Sequence, residues 1–368
     1  MTTSVDRGQV LAYRVAAQQL DRPDVAVEGL AVLDVGVQDT PYGSAVQALA
    51  ARSVVPSGPA PDAGLVAIWS VRGAPHLHRP ADLPALAAAL WPLSDADATA
   101  RISTTSIKEG AKLGLAAVAA AAQAMRDVVT GPMPKGEVST AVSARVPESL
   151  TYPCRACAAR HISGTLFQLV GVLAGVALDR SRGDTWLTPA PGRAAIPTAA
   201  AGTGDLIAAY LRVLGPATPA EAAKLLASTQ TAVRPAWPAG DLAEVSVDGR
   251  RTWLPADRVD ALRSAQRPEL VRLLPPSDPY LQAKDRDLLV PDKARQKEVW
   301  RILGNPGALI VDGEVAGTWR PKKSGTRLQL TVTPFDRVPP RVRKAVDSEA
   351  ERVAAARGAT DVDVRWPP

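Results

Sequence analysis

The sequence predicts an α+β protein in which three tandem winged-helix domains precede a small C-terminal β-barrel-like domain. One observation is a recurring order of helix, turn, shorter helix and strand hairpin, which is the element order of a winged helix. The other is the alternation of apolar and polar residues near the C-terminus, which has the period of a β-strand. We place the domains at 1–100, 101–200, 201–268 and 269–368.

The first segment shows the winged-helix order least regularly. Residues 5–20 predict a helix, and residues 30–53 predict a second helical stretch that is broken near Pro41 and Gly43. The stretches LVAIWSV and PHLH predict two strands that are joined at Arg72–Gly73.

The second and third segments repeat this order more clearly. Residues 106–129 and 160–178 predict helices, and a strand pair around Arg182–Gly183 closes the second segment. The third segment contains predicted helices in DLIAAYLRVLGP and ATPAEAAKLLAS. They are followed by a hairpin over 242–254 that turns at Asp248–Gly249.

The last segment is rich in predicted strands. ALIVDGEVAGTW, RLQLTVTPF and DVDVRW have the strand period, and Asp312–Gly313 predicts a hairpin turn. Residues 338–357 predict a helix between the last two strands. The alternating charges of DPYLQAKDRDLLVPDKARQKE are typical of an exposed helix and linker.

The composition excludes several classes of protein. There are 43 Lys and Arg against 37 Asp and Glu, with three His and two Cys. So few His and Cys exclude a multi-site metalloenzyme and a disulfide scaffold. The apolar share of 46% predicts a globular core, and no apolar run reaches the roughly 18 residues that span a bilayer. Charges at Asp6, Arg7 and Arg14 interrupt any signal core, so we expect a cytoplasmic protein. We also expect a monomer without cofactor, metal or membrane partner.

Three stretches carry a family resemblance. They are LDVGVQDTPYGSA with the downstream SVRGAPHLH, LLPPSDPYLQAKDRDLLVP, and GNPGALIVDGEVAGTWRPKK. Together they resemble the winged-helix DNA glycosylase family of AlkZ and YcaQ, from about Val10 to Arg365. The resemblance implies an enzyme that removes bulky alkylated bases from double-stranded DNA, mainly purines with N7 adducts. Many relatives are described only as DNA-binding proteins.

The resemblance implies a catalytic site at Gln38, Asp39 and Thr40. The family's motif has the form Gln-x-Gln or Gln-x-Asp, and Gln38 falls on its first glutamine. Thr40 stands where the second Gln or Asp would be, while Asp39 stands at a middle position that is usually apolar. Either Asp39 takes over the handling of water through a register shift, or Gln38 works with a different partner. Without the resemblance, Asp or Thr before Pro41 is typical of a helix end.

The chemistry implied by the resemblance needs no strong base. Alkylation at N7 puts positive charge on a guanine, and the N-glycosidic bond then breaks toward an oxocarbenium-like sugar. The enzyme must chiefly stabilise that cation and position a water molecule, which a glutamine amide can do. The leading hypothesis is therefore a monofunctional glycosylase for bulky N7-alkylguanine, such as adducts of a genotoxic natural product in self-resistance repair. A non-catalytic DNA-binding regulator or protection factor is the alternative, and a protein-interaction scaffold is a third possibility.

Candidate DNA-binding residues lie on predicted hairpins and in a predicted loop after GTW. They are Arg72, His76, Arg250, Arg251, Arg320, Lys322, Lys323 and Arg327. Cations at such places can bind phosphates, with an affinity that falls as salt rises. Each basic group alone is also typical of a solvated face, and His76 could equally be an ordinary hairpin histidine.

A metal site is considered at Cys154, Cys157 and His161, whose spacing could put three ligands on one helical face. A structural zinc site needs four ligands, and the sequence contains no further Cys. We therefore favour buried cysteines on a helix.

Overall fold

The structure, a computed structural model, describes residues 3–54, 64–155, 158–181 and 183–367. Its contacts divide the chain into two compact units, each built from separate stretches. The first unit contains Met1–Ala63, Ala208–Thr218 and Ala239–Pro368, and the second contains Gly64–Ile207 and Pro219–Pro238. The division into four consecutive domains stays a prediction.

Helices and strands are numbered in chain order. The α-helices are α1 (Arg7–Ala17), α2 (Ser44–Ala50), α3 (Leu83–Leu90), α4 (Asp95–Ile102), α5 (Leu115–Val128), α6 (Lys135–Ser143), α7 (Gly164–Leu169), α8 (Thr203–Leu214), α9 (Pro219–Leu225), α10 (Gln230–Val233), α11 (Val259–Arg263), α12 (Arg286–Leu289), α13 (Lys293–Val299) and α14 (Pro340–Ala356). The strands are β1 (Thr3–Val5), β2 (Val37–Gln38), β3 (Val66–Trp69), β4 (Pro75–His78), β5 (Met133–Pro134), β6 (Thr151–Cys154), β7 (Ala159–Ile162), β8 (Val176–Asp179), β9 (Trp186–Pro189), β10 (Leu242–Val247), β11 (Arg250–Pro255), β12 (Val271–Leu274), β13 (Gly307–Val311), β14 (Glu314–Ser324), β15 (Arg327–Pro334) and β16 (Asp361–Arg365). None of the described helices is long and apolar enough to cross a membrane.

The N-terminal helix of the first unit packs on the hairpin β10/β11. The Asp6 side chain accepts a hydrogen bond from the Gln9 amide at 2.8 Å, and the Gln9 side chain accepts one from the Asp6 amide at 3.1 Å. This capping box starts α1. Strand β1 pairs in parallel with β10, and Val10 and Tyr13 share a core with the hairpin. The hairpin predicted at 242–254 is confirmed and shares this core with the start of the chain.

A five-stranded sheet and one long helix form the C-terminal part of the first unit. The strand order is β12-β13-β14-β15-β16, and all neighbours are antiparallel except the parallel pair β15–β16. Helix α14 packs on one face, where Val342 and Val346 meet the fully buried Trp319 and Leu330 in one core. The predicted β-rich C-terminal region and its helix are thus confirmed.

Two buried ion pairs join the N-terminal part of the first unit to the segment after β12. Arg14 on α1 binds Asp285 with nitrogen–oxygen distances of 2.6 and 3.1 Å. Arg52, just after α2, binds Asp278 with distances of 2.8 and 2.9 Å, and all four side chains are buried. The prediction of an exposed linker is therefore wrong for these carboxylates, since each one neutralises a buried arginine.

The second unit contains an antiparallel sheet in the order β4-β3-β8-β9-β5. Strands β3 and β4 form the hairpin predicted at Arg72–Gly73. Strands β8 and β9 flank the predicted turn at Arg182–Gly183, of which Arg182 lies outside the described residues. Along the chain, α8, α9 and the β10/β11 hairpin follow the order predicted for 201–268. The number of winged helices stays a prediction.

Two predicted helices of the second unit are wrong in part. The stretch 160–178 forms β7, α7 and β8, because residues of β7 pair with β6 instead of continuing a helix. The stretch 106–129 becomes α-helical only at Leu115. There Gly114 adopts a φ of 57°, and Asp95 accepts a hydrogen bond from the Leu115 amide at 2.9 Å.

Arg52→Met should lower the free energy of unfolding by about 3–5 kcal/mol, because it leaves the Asp278 carboxylate buried without its partner. Urea unfolding followed by tryptophan fluorescence measures this loss. The control is Glu109→Gln, which breaks an exposed pair with Lys112 and should change stability only slightly. Similar losses for the two variants would contradict the importance given to the buried pair.

Candidate functional site

Gln38 lies at the end of a short strand and not in the second helical stretch predicted at 30–53. Strand β2 ends at Gln38, the Thr40–Pro41 peptide is cis, and α2 follows. The helical prediction holds for a short 3-10 helix at Ala31–Asp34 and for α2 after the break at Pro41 and Gly43, but it is wrong for Val37 and Gln38, which form strand β2. The side chain of Gln38 is half-buried, that of Asp39 is buried, and that of Thr40 is exposed.

Asp39 caps the start of α2. Its Oδ1 accepts hydrogen bonds from the Gly43 amide at 2.8 Å and from the Ala45 amide at 3.1 Å. Amides at the start of a helix have no partner within the helix, and a carboxylate satisfies them. Asp39 therefore fixes the turn that follows Gln38.

Gln38 meets the C-terminal part of the first unit at Ser277. Its Nε2 lies 3.5 Å from Ser277 Oγ. Ser277 has a φ of 63°, a left-handed conformation that residues other than glycine adopt at a cost. Two of the stretches that carry the family resemblance, 33–45 and 273–291, thus meet at the Gln38 side chain.

Arg52 fixes the position of Ser277 by binding the next residue. The Asp278 carboxylate accepts hydrogen bonds from Nη1 and Nη2 of Arg52. It also accepts one from the Tyr280 amide at 2.9 Å. Arg52 donates in addition to Gln18 Oε1 at 2.9 Å. The sequence did not indicate this network, because the partners of a single arginine are set by tertiary structure.

The basic residues after GTW lie on a strand hairpin, so the prediction of a loop is wrong. Strand β14 continues to Ser324, which pairs with Arg327 on β15. Side chains alternate along a strand and residues opposite each other share a face, so Arg320, Lys322 and Arg327 lie on one face. Arg327 also pairs with Asp361 at 3.0 Å.

Lys323 lies on the opposite face of β14 and caps α14. Its Nζ donates to the carbonyl of Arg357 at 2.5 Å and to that of Gly358 at 3.2 Å. A cation satisfies the last carbonyls of a helix and interacts favourably with the helix dipole. Lys323 therefore has a structural contact that the sequence did not indicate.

Arg250 and Arg251 are exposed on β11, at the turn of the β10/β11 hairpin. Arg251 pairs with Glu244 at 2.5 Å, and its guanidinium lies 5.1 Å from the ring centroid of Trp253. These contacts hold Arg251 along the hairpin.

Arg72 and His76 belong to the second unit, whereas the other predicted site residues belong to the first. Arg72 lies in the β3/β4 turn with a φ of 59° and donates to the Leu225 carbonyl at 3.3 Å. His76 is buried, with its Nδ1 2.9 Å from the Ala74 carbonyl oxygen. Burial lowers the pKa of His76 well below its ordinary value, so its ring is neutral near pH 7.

The three zinc-ligand candidates do not share a helical face. Cys154 lies on β6 and His161 on β7 of one hairpin, while Cys157 lies outside the described residues. The expectation of cysteines on a helix is therefore wrong for Cys154. Within the part of the chain that the structure describes, no group of three or more His, Cys, Asp or Glu could hold a metal ion.

The fold described above is that of a DNA glycosylase of known structure. The DNA glycosylase AlkZ of Streptomyces sahachiroi superposes with a TM-score of 0.75 at 22% identity, over 99% of this chain and 100% of that one. A family model described as "DNA glycosylase AlkZ-like" matches residues 27–356. The chain belongs to the AlkZ-like DNA glycosylase family, as the resemblance predicted.

One relative, also from Streptomyces sahachiroi, is named an interstrand DNA cross-link repair glycosylase. It is 33% identical over 169 residues. This match spans 44% of the present chain and 44% of the relative, so it covers less than half of either protein.

His78→Gln should make the protein lose less stability as the pH is lowered. His78 lies beside His76 on β4, its Nε2 is 2.9 Å from Ser70 Oγ, and burial lowers its pKa from 6.5 to about 4. As pH falls from 6.5 to about 4, the unfolded chain binds the proton first, so stability decreases. Glutamine can keep a hydrogen bond to Ser70 but does not titrate.

Urea unfolding at a series of pH values measures this effect. The slope of stability against pH should become shallower in His78→Gln, and His76 should account for part of what remains. An unaltered slope in His78→Gln would contradict the assignment.

Proposed function

We propose that this protein is a monofunctional DNA glycosylase that hydrolyses the N-glycosidic bond of a bulky N7-alkylguanine. The observation that carries the proposal is the contact of Gln38 with Ser277, which joins two family motifs at one side chain. One relative is named for the repair of interstrand cross-links, so cross-linked DNA is included among the substrates. Adducts of a genotoxic natural product, removed as self-resistance, are the source that we favour.

In the proposed reaction the leaving group supplies much of the driving force. Alkylation at N7 makes the guanine cationic, and the electron pair of the breaking C1′–N9 bond neutralises that charge. The oxygen of a water molecule bonds to the cationic C1′ and loses its proton to solvent, which leaves an abasic site. The main electrostatic requirement is therefore that the site stabilises the sugar cation.

Gln38 is proposed to position the water. Its amide oxygen has two lone pairs that can accept hydrogen bonds from water while Nε2 is held near Ser277. Asp39 is proposed to place negative charge beside the sugar cation while its Oδ1 holds the turn. The exposed Thr40 would support them with its hydroxyl.

Duplex DNA is proposed to lie along the exposed cations of the first unit. The cations meant are Arg320, Lys322 and Arg327 on the β14/β15 hairpin and Arg250 and Arg251 on the β10/β11 hairpin. Lys323, which the sequence also suggested as a DNA contact, is proposed instead to hold the end of α14. Arg72 is proposed as a contact from the second unit, and the buried, neutral His76 is proposed to support its hairpin. We further propose that the protein contains three winged helices, is a monomer and is located in the cytoplasm.

A non-catalytic DNA-binding protein is the second candidate. The contacts of Asp39 favour this candidate, because a carboxylate that caps a helix has a structural role without catalysis. Thr40 favours it as well, because it stands where the family motif has a second Gln or Asp. Base release distinguishes the two candidates.

Gln38→Ala should slow base release about a hundredfold, because the water loses its positioning group. The substrate is a duplex with one guanine alkylated at N7 by a nitrogen mustard, and alkali converts each abasic site into a measurable strand break. Asp39→Asn keeps a cap for α2 but removes the negative charge. This variant therefore separates the structural role of Asp39 as a helix cap from its proposed role beside the sugar cation. Thr40→Val should have a smaller effect.

Affinity for the same duplex is the control and should change little in these variants. Base release that persists at the full rate in Gln38→Ala would contradict the proposed site. Salt-sensitive binding by the unaltered protein, with no abasic sites from several adducts, would establish the non-catalytic alternative.

Lys322→Ala and Lys323→Ala form a matched pair for the proposed DNA contact. Lys322→Ala should reduce the slope of log affinity against log salt by about one, because one phosphate contact is lost. Lys323→Ala should instead lower the thermal unfolding temperature, because it removes the cap of α14. Equal reductions of the salt slope would contradict the assignment of the two faces.

A further inference from the structure

A turn between α13 and β13 exposes two large apolar side chains. Ile302 is 101% exposed and Leu303 is 86% exposed, the highest values among the large apolar residues that the structure describes. Adjacent aliphatic side chains are costly to leave in water, and such patches often mark surfaces that bind a partner. We call residues 301–305 the apolar tip.

The apolar tip is held at both ends. On one side Trp300 donates from Nε1 to the Leu281 carbonyl at 3.3 Å, and the Arg286 guanidinium lies 4.8 Å from the centroid of the Trp300 ring. On the other side Arg320 donates to the Gly304 carbonyl at 2.8 Å, and Gly304 adopts the φ of 65° that the turn requires. The turn therefore presents Ile302 and Leu303 from a fixed base.

Cations lie at the start of the tip and on the strand that is hydrogen-bonded to it. Arg301 is exposed at the start of the tip, and Arg320 is hydrogen-bonded to Gly304 within it. Lys322 lies on the same face of β14 as Arg320. The exposed acidic residue next to the tip in sequence is Glu298, near the end of α13. Aliphatic side chains beside cations match a partner with an anionic surface and an apolar, stacked interior. Duplex DNA has these two properties, and aliphatic wedges can enter its base steps from the minor groove.

One short segment contacts both the candidate site and the base of the tip. Ser277 lies against Gln38, and Leu281, four residues later, accepts the hydrogen bond from Trp300. Four residues of chain span at most about 14 Å. The base of the tip is therefore close to the partner of Gln38.

We propose that the apolar tip is a wedge that inserts Ile302 and Leu303 between base pairs beside the alkylated base. The wedge opens the stack where water has to reach the sugar, and the contacts that it gains offset the cost of unstacking. The inference rests on the proposed function for the identity of the DNA. Insertion itself is measurable without base release.

The test compares Ile302→Ser/Leu303→Ser with the unaltered protein. The DNA is the nitrogen-mustard duplex with 2-aminopurine beside the alkylated guanine, because 2-aminopurine fluorescence rises on unstacking. Leu113→Ser, at a leucine of the second unit that is 44% exposed, is the matched control. The unaltered protein and the control should raise the fluorescence, whereas the double variant should not.

The double variant should also bind the duplex about tenfold more weakly. Its salt slope should stay the same because no charge is removed, and its unfolding temperature should not fall because both side chains are exposed. Unchanged affinity with the full fluorescence rise would overturn the wedge. Loss of self-association as the sole effect would overturn it too, since the tip would then bind a second copy of the chain.

Base release by the unaltered protein is measured on the same duplex. A fluorescence rise that depends on the tip, without base release, would support the wedge and refute the catalytic proposal. Base release with no effect of the double variant on binding or fluorescence would refute the wedge and leave the catalytic proposal standing.

Discussion

The buried pair between Arg52 and Asp278 is the contact on which the candidate site depends. It joins the end of α2 to the segment after β12 through nitrogen–oxygen distances of 2.8 and 2.9 Å, and neither side chain is exposed. Asp39 caps the other end of α2, and Ser277 directly precedes Asp278. The turn after Gln38 and the partner of Gln38 are therefore fixed through the same pair.

Buried ion pairs recur where the first unit joins distant stretches of chain. Arg14 binds Asp285 in a second buried pair, and the buried Glu349 on α14 binds the partly buried Arg22 at 2.7 Å. Such pairs contribute little net stability, because both charges lose their hydration, but removing one partner is costly. Any displacement of the joined segments therefore costs free energy, because it leaves a buried charge without its partner. This property suits a site whose two contacting side chains are 239 positions apart in the sequence.

Local patterns account for much of the fold, and non-local contacts decide the rest. Turn chemistry at Asp248–Gly249 and strand alternation predict the hairpins correctly. The helix expected at 160–178 is wrong in part, because its first residues pair with a strand that local periodicity does not reveal and only Gly164–Leu169 is helical. Gln38 follows from the resemblance, whereas Arg52 and Ser277 could not be predicted, since a single arginine or serine forms no pattern and its partner is set by tertiary structure.

A crystal structure of the protein with a duplex that carries one N7-alkylguanine tests the central claim most directly. The proposed mechanism predicts that the Gln38 amide lies within hydrogen-bonding distance of a water beside C1′ of the alkylated nucleotide, with Ser277 still in contact with Gln38. The claim would be contradicted by an alkylated nucleotide bound elsewhere on the protein, with Gln38 directed away from the DNA.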